Sequence, residues 1–200
     1  NLLKIAGAIV MGKTETTELA YFSPGKTTNP HDSSRTPGGS SSGSAAAVAA
    51  HMAPLSIGSQ TNGSTIRPAS YCGIVGYKPS YGLISRSGVL RQSEKLDHIG
   101  VFGKNVEDVA LLAKVLIKKD IYDSSTIHYA ADEMLRVCKK GPLFEPKFIF
   151  YKTKNWKNVD KASQKSFEFF IKTFKKNIEV FDTPSYFDLI PKYHRIIHET

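Results

Sequence analysis

Serine and glycine crowd two short stretches of the chain, and both residue types bear on chemistry. The first stretch runs Gly38-Gly39-Ser40-Ser41-Ser42-Gly43-Ser44, and the second is Asn62-Gly63-Ser64. A serine hydroxyl offers one donor and two acceptor sites. Glycine lets a backbone take φ > 0 and lets other atoms come close. Between the clusters lies an apolar, alanine-rich run over residues 45–57. Two such clusters, joined by what reads as buried helix and then buried strand, imply a pocket lined by hydroxyls and main-chain N–H groups. A pocket of that kind suits an oxyanion.

The elements around the clusters follow from pattern. Residues 44–52 predict a helix, because alanine is the best helix former and packs closely. The first cluster then meets a helix N-terminus, where unpaired N–H groups and the dipole favour negative charge. Residues 55–57 continue as a strand ending near Gly58. The turn Thr61-Asn62-Gly63-Ser64 can gather successive N–H groups into a nest. Arg67-Pro68-Ala69 opens a helical turn that Gly73 ends, and residues 74–77 read as another buried strand. Upstream, residues 2–7 look like a helix end stopped by Gly7. Residues 8–11 form a short apolar run expected to be a buried strand, and Thr14 or Thr16 is placed to cap a short helix carrying Glu15 and Glu18. Residues 21–37 and 78–88 are loop by their Pro, Gly, Ser and Asn content, and His98 is read as loop. Asn105 caps an amphipathic helix with Val106, Val109, Ala110, Ala113, Leu116 and Ile117 on one face. Residues 118–146 are more polar and less regular. Residues 148–150 and 178–180 predict strands. Residues 159–176 predict a helix with Phe167, Phe170 and Phe174 inward, a stripe that reads as core. Residues 186–200 start another helix, interrupted by Pro191. Helices and strands alternate, so the class is α/β.

Other motifs carry less. Gly7, four residues and Gly12-Lys13-Thr14 match a P-loop formally, but the intervening residues are apolar and lack the glycine-rich cradle that phosphate needs. Gly39-x-Ser41-x-Gly43 imitates a nucleophile elbow, yet it follows a loop and not a strand. His194 and His198 have the i, i+4 spacing of zinc peptidases without the glutamate beside the first histidine, so a solvated helix face is the better reading. Asp97-His98 invites a Ser–His–Asp relay, but triad members meet in space, not in sequence.

The bulk numbers fit an ordinary soluble globular protein of 200 residues, with 40% hydrophobic and 22% charged content. The net charge of +9 is spread over both halves, which reads as a lysine-rich surface more than a nucleic-acid tract. No apolar run approaches a membrane span. Cys72 and Cys138 give no disulfide framework or metal spacing, and suit a reducing cytoplasm. The chain opens at Asn1 and stops at Thr200 inside a helical pattern, so it reads as part of a longer protein.

The first cluster, with Gly58, Gln60, Asn62, Gly63, Ser64, Arg67, Pro68, Ala69, Tyr71, Cys72 and Gly73, resembles the signature of the amidase signature family, the Ser–Ser–Lys amide hydrolases. Ser40 and Ser64 stand in the register that motif requires, 24 positions apart. The likeness continues through residues 76–82, 96–100 and 105–110, and fades after about residue 120. One glycine–serine cluster alone would read as a helix cap; two in register read as catalytic. The resemblance implies an α/β/α sandwich with a mixed central sheet, of which this chain holds part. Residues 1–120 are its signature core and 121–200 a more variable portion of one domain. It implies Ser64 as nucleophile, Ser40 as the bridging serine after a cis Gly39–Ser40 bond, and an oxyanion hole from the N–H groups of Thr61, Asn62, Gly63 and Ser64. Gly39, Ser41 and Arg67 support them; Ser42 and Ser44 read as helix-cap hydroxyls. The family's lysine base falls upstream of Asn1, which implies that these residues alone are inactive. The implied substrate is a small-molecule amide, with no cofactor, no metal and no membrane partner; a homodimer stays open. Gln60 replaces an acidic residue, and the arginine is shifted by one, as in a branch of bacterial amidases. The alternatives are the A subunit of a glutamyl/aspartyl-tRNA amidotransferase, a glutaminase where nucleic acid would enter, and an inactive scaffold or binding module.

Overall fold

A computed structural model describes residues 1–199, which fall into two units: residues 1–139 with the end of the chain from Ile197, and residues 140–196. The expected helix end near the start of the chain is a single turn, α1 (Leu2–Ile5). The first unit is built on a three-stranded antiparallel sheet in the order β1-β3-β2: Leu55–Gln60 (β1), His98–Gly103 (β3) and Val75–Tyr77 (β2). β3 is central and pairs Gly100 with Gly58 and Val101 with Tyr77. Its side chains alternate between two cores, as strand geometry requires. Ile99 and Val101 pack with Val109, Leu112 and Ala113 of α4 (Val106–Leu116). Phe102 packs on the other face with Ala45, Val48 and Ala49 of α2 (Ser42–Ala49) and with Ala69 of α3 (Ile66–Tyr71). Asn105 caps α4 as expected, its side chain accepting from the Asp108 N–H at 2.8 Å.

The cross-strand pair Gly58–Gly100 leaves room that side chains from two loops fill. A Cβ on Gly58 would collide with the Ser41 side chain and with Phe102, and one on Gly100 with the Thr65 side chain. Directly paired residues point to the same face, so Ser41 and Thr65 seat side by side on the face that carries α2 and α3.

The second unit pairs β4 (Phe148–Lys152) with β5 (Ile178–Asp182) in parallel. Asp160 caps α6 (Lys161–Thr173), accepting from the Ala162 and Ser163 N–H groups at 3.0 Å. The phenylalanine stripe faces the sheet, with Phe167 5.5 Å from Phe150 and Phe174 5.4 Å from Phe148, centroid to centroid, but it is not the buried core expected: Phe167, Phe170 and Phe174 stay 37–45% exposed. Both senses of strand pairing thus occur, within an α/β class.

Several expectations change. Residues 8–11 are not a strand: Ile9, Val10 and Met11 are 86%, 61% and 76% exposed, with no neighbouring strand to pair with. Glu15 lies outside any helix, and among residues 14–20 only Glu18–Ala20 forms a short 3-10 turn. His98 opens the central strand instead of lying in a loop; the two glycines of His98–Gly103 mask a strand pattern. Within residues 118–146 a helix, α5, spans Met134–Lys140. Pro191 does not interrupt a helix. It sits in the first turn of α7 (Ile190–Glu199), where a missing N–H costs little, after a 3-10 turn over Ser185–Leu189. The helix expected over residues 186–200 includes Thr200, which lies outside the described residues. No helix among the described residues is long and apolar enough to cross a membrane, and none of them forms a metal-ligating cluster.

Candidate active site

The first serine cluster runs into α2 and the second precedes α3, two short helices on the same sheet face. Ser40 is 3% exposed, and its peptide bond from Gly39 is cis, as the resemblance implies. The Ser40 carbonyl accepts from Ser42 N at 2.8 Å and from Thr17 N at 3.0 Å. Ser41 ties the cluster to β1: its Oγ donates to the Ser59 carbonyl and accepts from the Ser59 N–H, both at 3.2 Å. Ser42 and Ser44 do not cap α2. The Ser42 Oγ donates to the Glu15 carbonyl, and the Ser44 Oγ donates to the Ile57 carbonyl at 2.8 Å and meets the Thr14 Oγ1 at 2.7 Å. With Gly43 N donating to the Glu15 carbonyl at 2.9 Å, residues 14–17 form a strap across the cluster. The Glu15 carboxylate in turn accepts from Lys26 N, Thr27 N and the Thr27 hydroxyl. The hydroxyl contact first, then the Lys26 amide, holds it below the usual carboxylate range.

The second cluster is the turn over residues 61–64. Ser64 is 9% exposed, and its carbonyl accepts from the Ser41 N–H at 3.3 Å. This bond joins the two clusters through their backbones; among the described residues no hydrogen bond links the Ser40 and Ser64 hydroxyls. Gly63 has φ +96°, a conformation glycine adopts without a Cβ penalty. The Gln60 Oε1 accepts from Thr65 N at 2.9 Å and Ile66 N at 3.1 Å. Arg67 folds back, its Nη2 donating to the Asn62 carbonyl at 2.7 Å. Among the described residues, the N–H groups of Asn62, Gly63 and Ser64 carry no intramolecular partner.

A small cavity of about 30 Å³ lies against Ser40, Thr61, Arg86, Asp97 and His98. Ser64 is not among its lining residues. The Asp97 carboxylate accepts from the Thr61 hydroxyl at 2.5 Å and from the Gln92 and Ser93 amides at 2.7 and 3.0 Å. It does not engage His98, whose Nδ1 lies 2.6 Å from the Leu96 carbonyl, so no Ser–His–Asp relay forms. Burial pushes the His98 imidazole down from its ordinary range, and the nearby Lys78 and Arg86 charges add to this. Neither Lys13 nor Lys78 lines the cavity; Lys78 donates to the Pro79 carbonyl at 2.7 Å. The supporting roles of Glu15, Thr17, Gln92 and Asp97 escape a reading of serine and glycine spacing. Asp97 lies inside the matched stretch over residues 96–100, which marks the position without stating this role.

The family model Amidase matches residues 1–197. Among curated relatives, the A subunit of the glutamyl-tRNA(Gln) amidotransferase of Nostoc sp. is 51% identical over 128 residues, which are 61% of this chain and 26% of the relative. The chain spans about a quarter of the length of the curated relatives it matches. Among solved structures, the same protein from Thermotoga maritima superposes with a TM-score of 0.84 at 33% identity, covering 99% of this chain and 45% of that one. A peptide amidase in complex with the competitive inhibitor chymostatin superposes at 0.83 with 29% identity, covering 97% and 43%. The matched residues take in both serine clusters, the sheet beneath them and the second unit, and the chain belongs to the Amidase family.

Proposed function

We propose that the chain carries the nucleophile side of a serine acyl-transfer site that opens amide bonds. The observation that supports this most is the Ser41 N–Ser64 O bond, which holds the Ser40 cluster beside a turn with three unpaired N–H groups. Ser64 Oγ attacks the amide carbon as its proton passes through Ser40 to a lysine base outside these residues. The N–H groups of Asn62, Gly63 and Ser64, with Thr61, receive the oxyanion. One such donor is worth roughly 10²–10³ in rate. The C–N bond breaks as the amine takes the proton, leaving an ester on Ser64; water then attacks that ester and releases the acid. The two hydroxyls need not touch before substrate binds, because catalytic hydrogen bonds commonly tighten only in the complex.

A fluorophosphonate tests this on the full-length protein. We expect a single adduct on Ser64 by intact mass and peptide mapping, abolished in Ser64→Ala. No adduct would overturn the reading and favour an inactive scaffold; an adduct on another residue would overturn Ser64 as the nucleophile.

A second reading is favoured by the 51% relative, which is named as part of an amidotransferase. In that reading the same site hydrolyses glutamine and passes ammonia to a partner protein. Ammonia release from glutamine that depends on a copurifying protein would select it; partner-independent turnover of simple amides would select the stand-alone amidase.

A further inference from the structure

We propose that Asp97 is a positioning residue for the oxyanion turn, acting through the Thr61 hydroxyl. This rests on the acyl-enzyme reading above. Asp97 immediately precedes β3, whose first residue, His98, pairs with Gln60, the last residue of β1. The carboxylate therefore stands where two paired strands end, next to the start of the turn. One oxygen takes the Thr61 hydroxyl at 2.5 Å, and the other takes the Gln92 and Ser93 amides at 2.7 and 3.0 Å. The Asp97 N–H donates back to the Ser93 carbonyl at 3.0 Å, closing the 93–97 loop on itself. The Gln92 side chain extends the network: its Oε1 accepts from the Thr61 hydroxyl at 3.3 Å, and its Nε2 donates to the Leu19 carbonyl.

The turn is thus held at both ends. Gln60 and Arg67 fix its exit, and Asp97 fixes its entry. A carboxylate makes a stronger, shorter bond to a hydroxyl than a neutral acceptor does. An anion beside an oxyanion site would oppose charge development there. The three donors on Asp97 spread that charge. Among the described residues no hydrogen bond of this network goes to the Ser40 or Ser64 hydroxyl, so Asp97 acts by aiming the N–H groups of residues 62–64.

The test compares Thr61→Val, Thr61→Ser, Asp97→Asn and the Thr61→Val/Asp97→Asn double variant in the full-length protein. The probe is the fluorophosphonate, and the readouts are its maximal labelling rate, its half-saturating concentration and the thermal midpoint. We expect Thr61→Val and Asp97→Asn each to lower the maximal rate about ten-fold or more. The half-saturating concentration should hold, because loss of transition-state support lowers the rate and not the binding. The double variant should lose no more than either single one, and Thr61→Ser, which keeps the hydroxyl, should lie nearer wild type than Thr61→Val. If wild type is labelled at Ser64 while Thr61→Val reacts at the wild-type rate, or if the two losses multiply, the positioning role is overturned and the acyl-enzyme reading stands. Rate losses that merely follow the thermal midpoint overturn it too. If wild type is not labelled at Ser64, both fall. Should Asp97→Asn fail to fold, the Thr61→Val and Thr61→Ser pair decides.

Discussion

Gln60 shows how a residue next to a candidate nucleophile can matter without touching chemistry. Its side-chain oxygen accepts both N–H groups that start α3, from Thr65 and Ile66. Gln60→Leu keeps the bulk and removes the acceptor. Orphaned N–H groups cost about 1–3 kcal/mol, so the variant should unfold at a lower urea midpoint with an unchanged slope. The two serine clusters are legible in the sequence because Ser40 and Ser64 stand in the register of a long motif, and the structure joins them through the Ser41 N–Ser64 O bond. The jobs of Gln60, Asp97 and Glu15 are not legible, because a hydrogen-bonding side chain does not announce its partner. Thr61 and Asp97 meet only after β1 and β3 have paired. Ser42 and Ser44 teach the converse: a serine before a helix reads as a cap, yet these two bind the strap and β1 instead.

At the scale of elements, α4 is legible because an apolar periodicity and a capping asparagine agree, although Val106 of the expected face is exposed and Leu112, outside it, is buried. β3 is not, because Gly100 and Gly103 interrupt its pattern; Gly100 makes room for the Thr65 side chain and Gly103 for the first turn of α4. The expectation of a strand over residues 8–11 fails for the opposite reason: an apolar run supplies propensity, but a strand also needs a partner. Gly100→Ala tests the packing. Its Cβ would enter the space of the Thr65 side chain, which is fully buried and has no room to yield. Overpacking of this kind costs about 1–3 kcal/mol, seen as a lower thermal midpoint. The fluorophosphonate rate should fall with it, since Thr65 adjoins Ser64. A neutral midpoint would show that the sheet face has slack.

At the scale of the molecule, one buried ion pair binds distant segments of the first unit. The Asp123 carboxylate accepts from Arg86 N at 2.8 Å and lies 3.4 Å from Arg86 Nε, while Arg86 also donates to the Glu94 carbonyl and the Ser125 hydroxyl. Burial pushes the Asp123 carboxyl up, but the hydrogen bonds from Ser125 and Arg86 outweigh it and hold it well below the usual carboxylate range. Removing one partner from a buried pair costs about 3–5 kcal/mol, so Asp123→Ala should be among the most damaging single changes by urea unfolding. The pH dependence follows from the same group and from His98. Both have folded values below their unfolded ones, so each contributes stability that is present above its unfolded pKa and lost as pH falls. Unfolding free energy should decline below about pH 6.5 through His98, and again below about pH 4 through Asp123. His98→Gln should remove the first decline and leave the second. The family and the α/β class were legible because they are spread over many positions. The pairing of Arg86 with Asp123 was not, since 37 residues separate them and nothing local joins them.

The seat shared by Ser41 and Thr65 has a mechanical consequence. Both loops rest on one rung of the strand ladder, so breathing of the sheet carries the two hydroxyls along together and leaves their spacing nearly untouched. The ruler that sets the distance between them is a single pair of missing side chains.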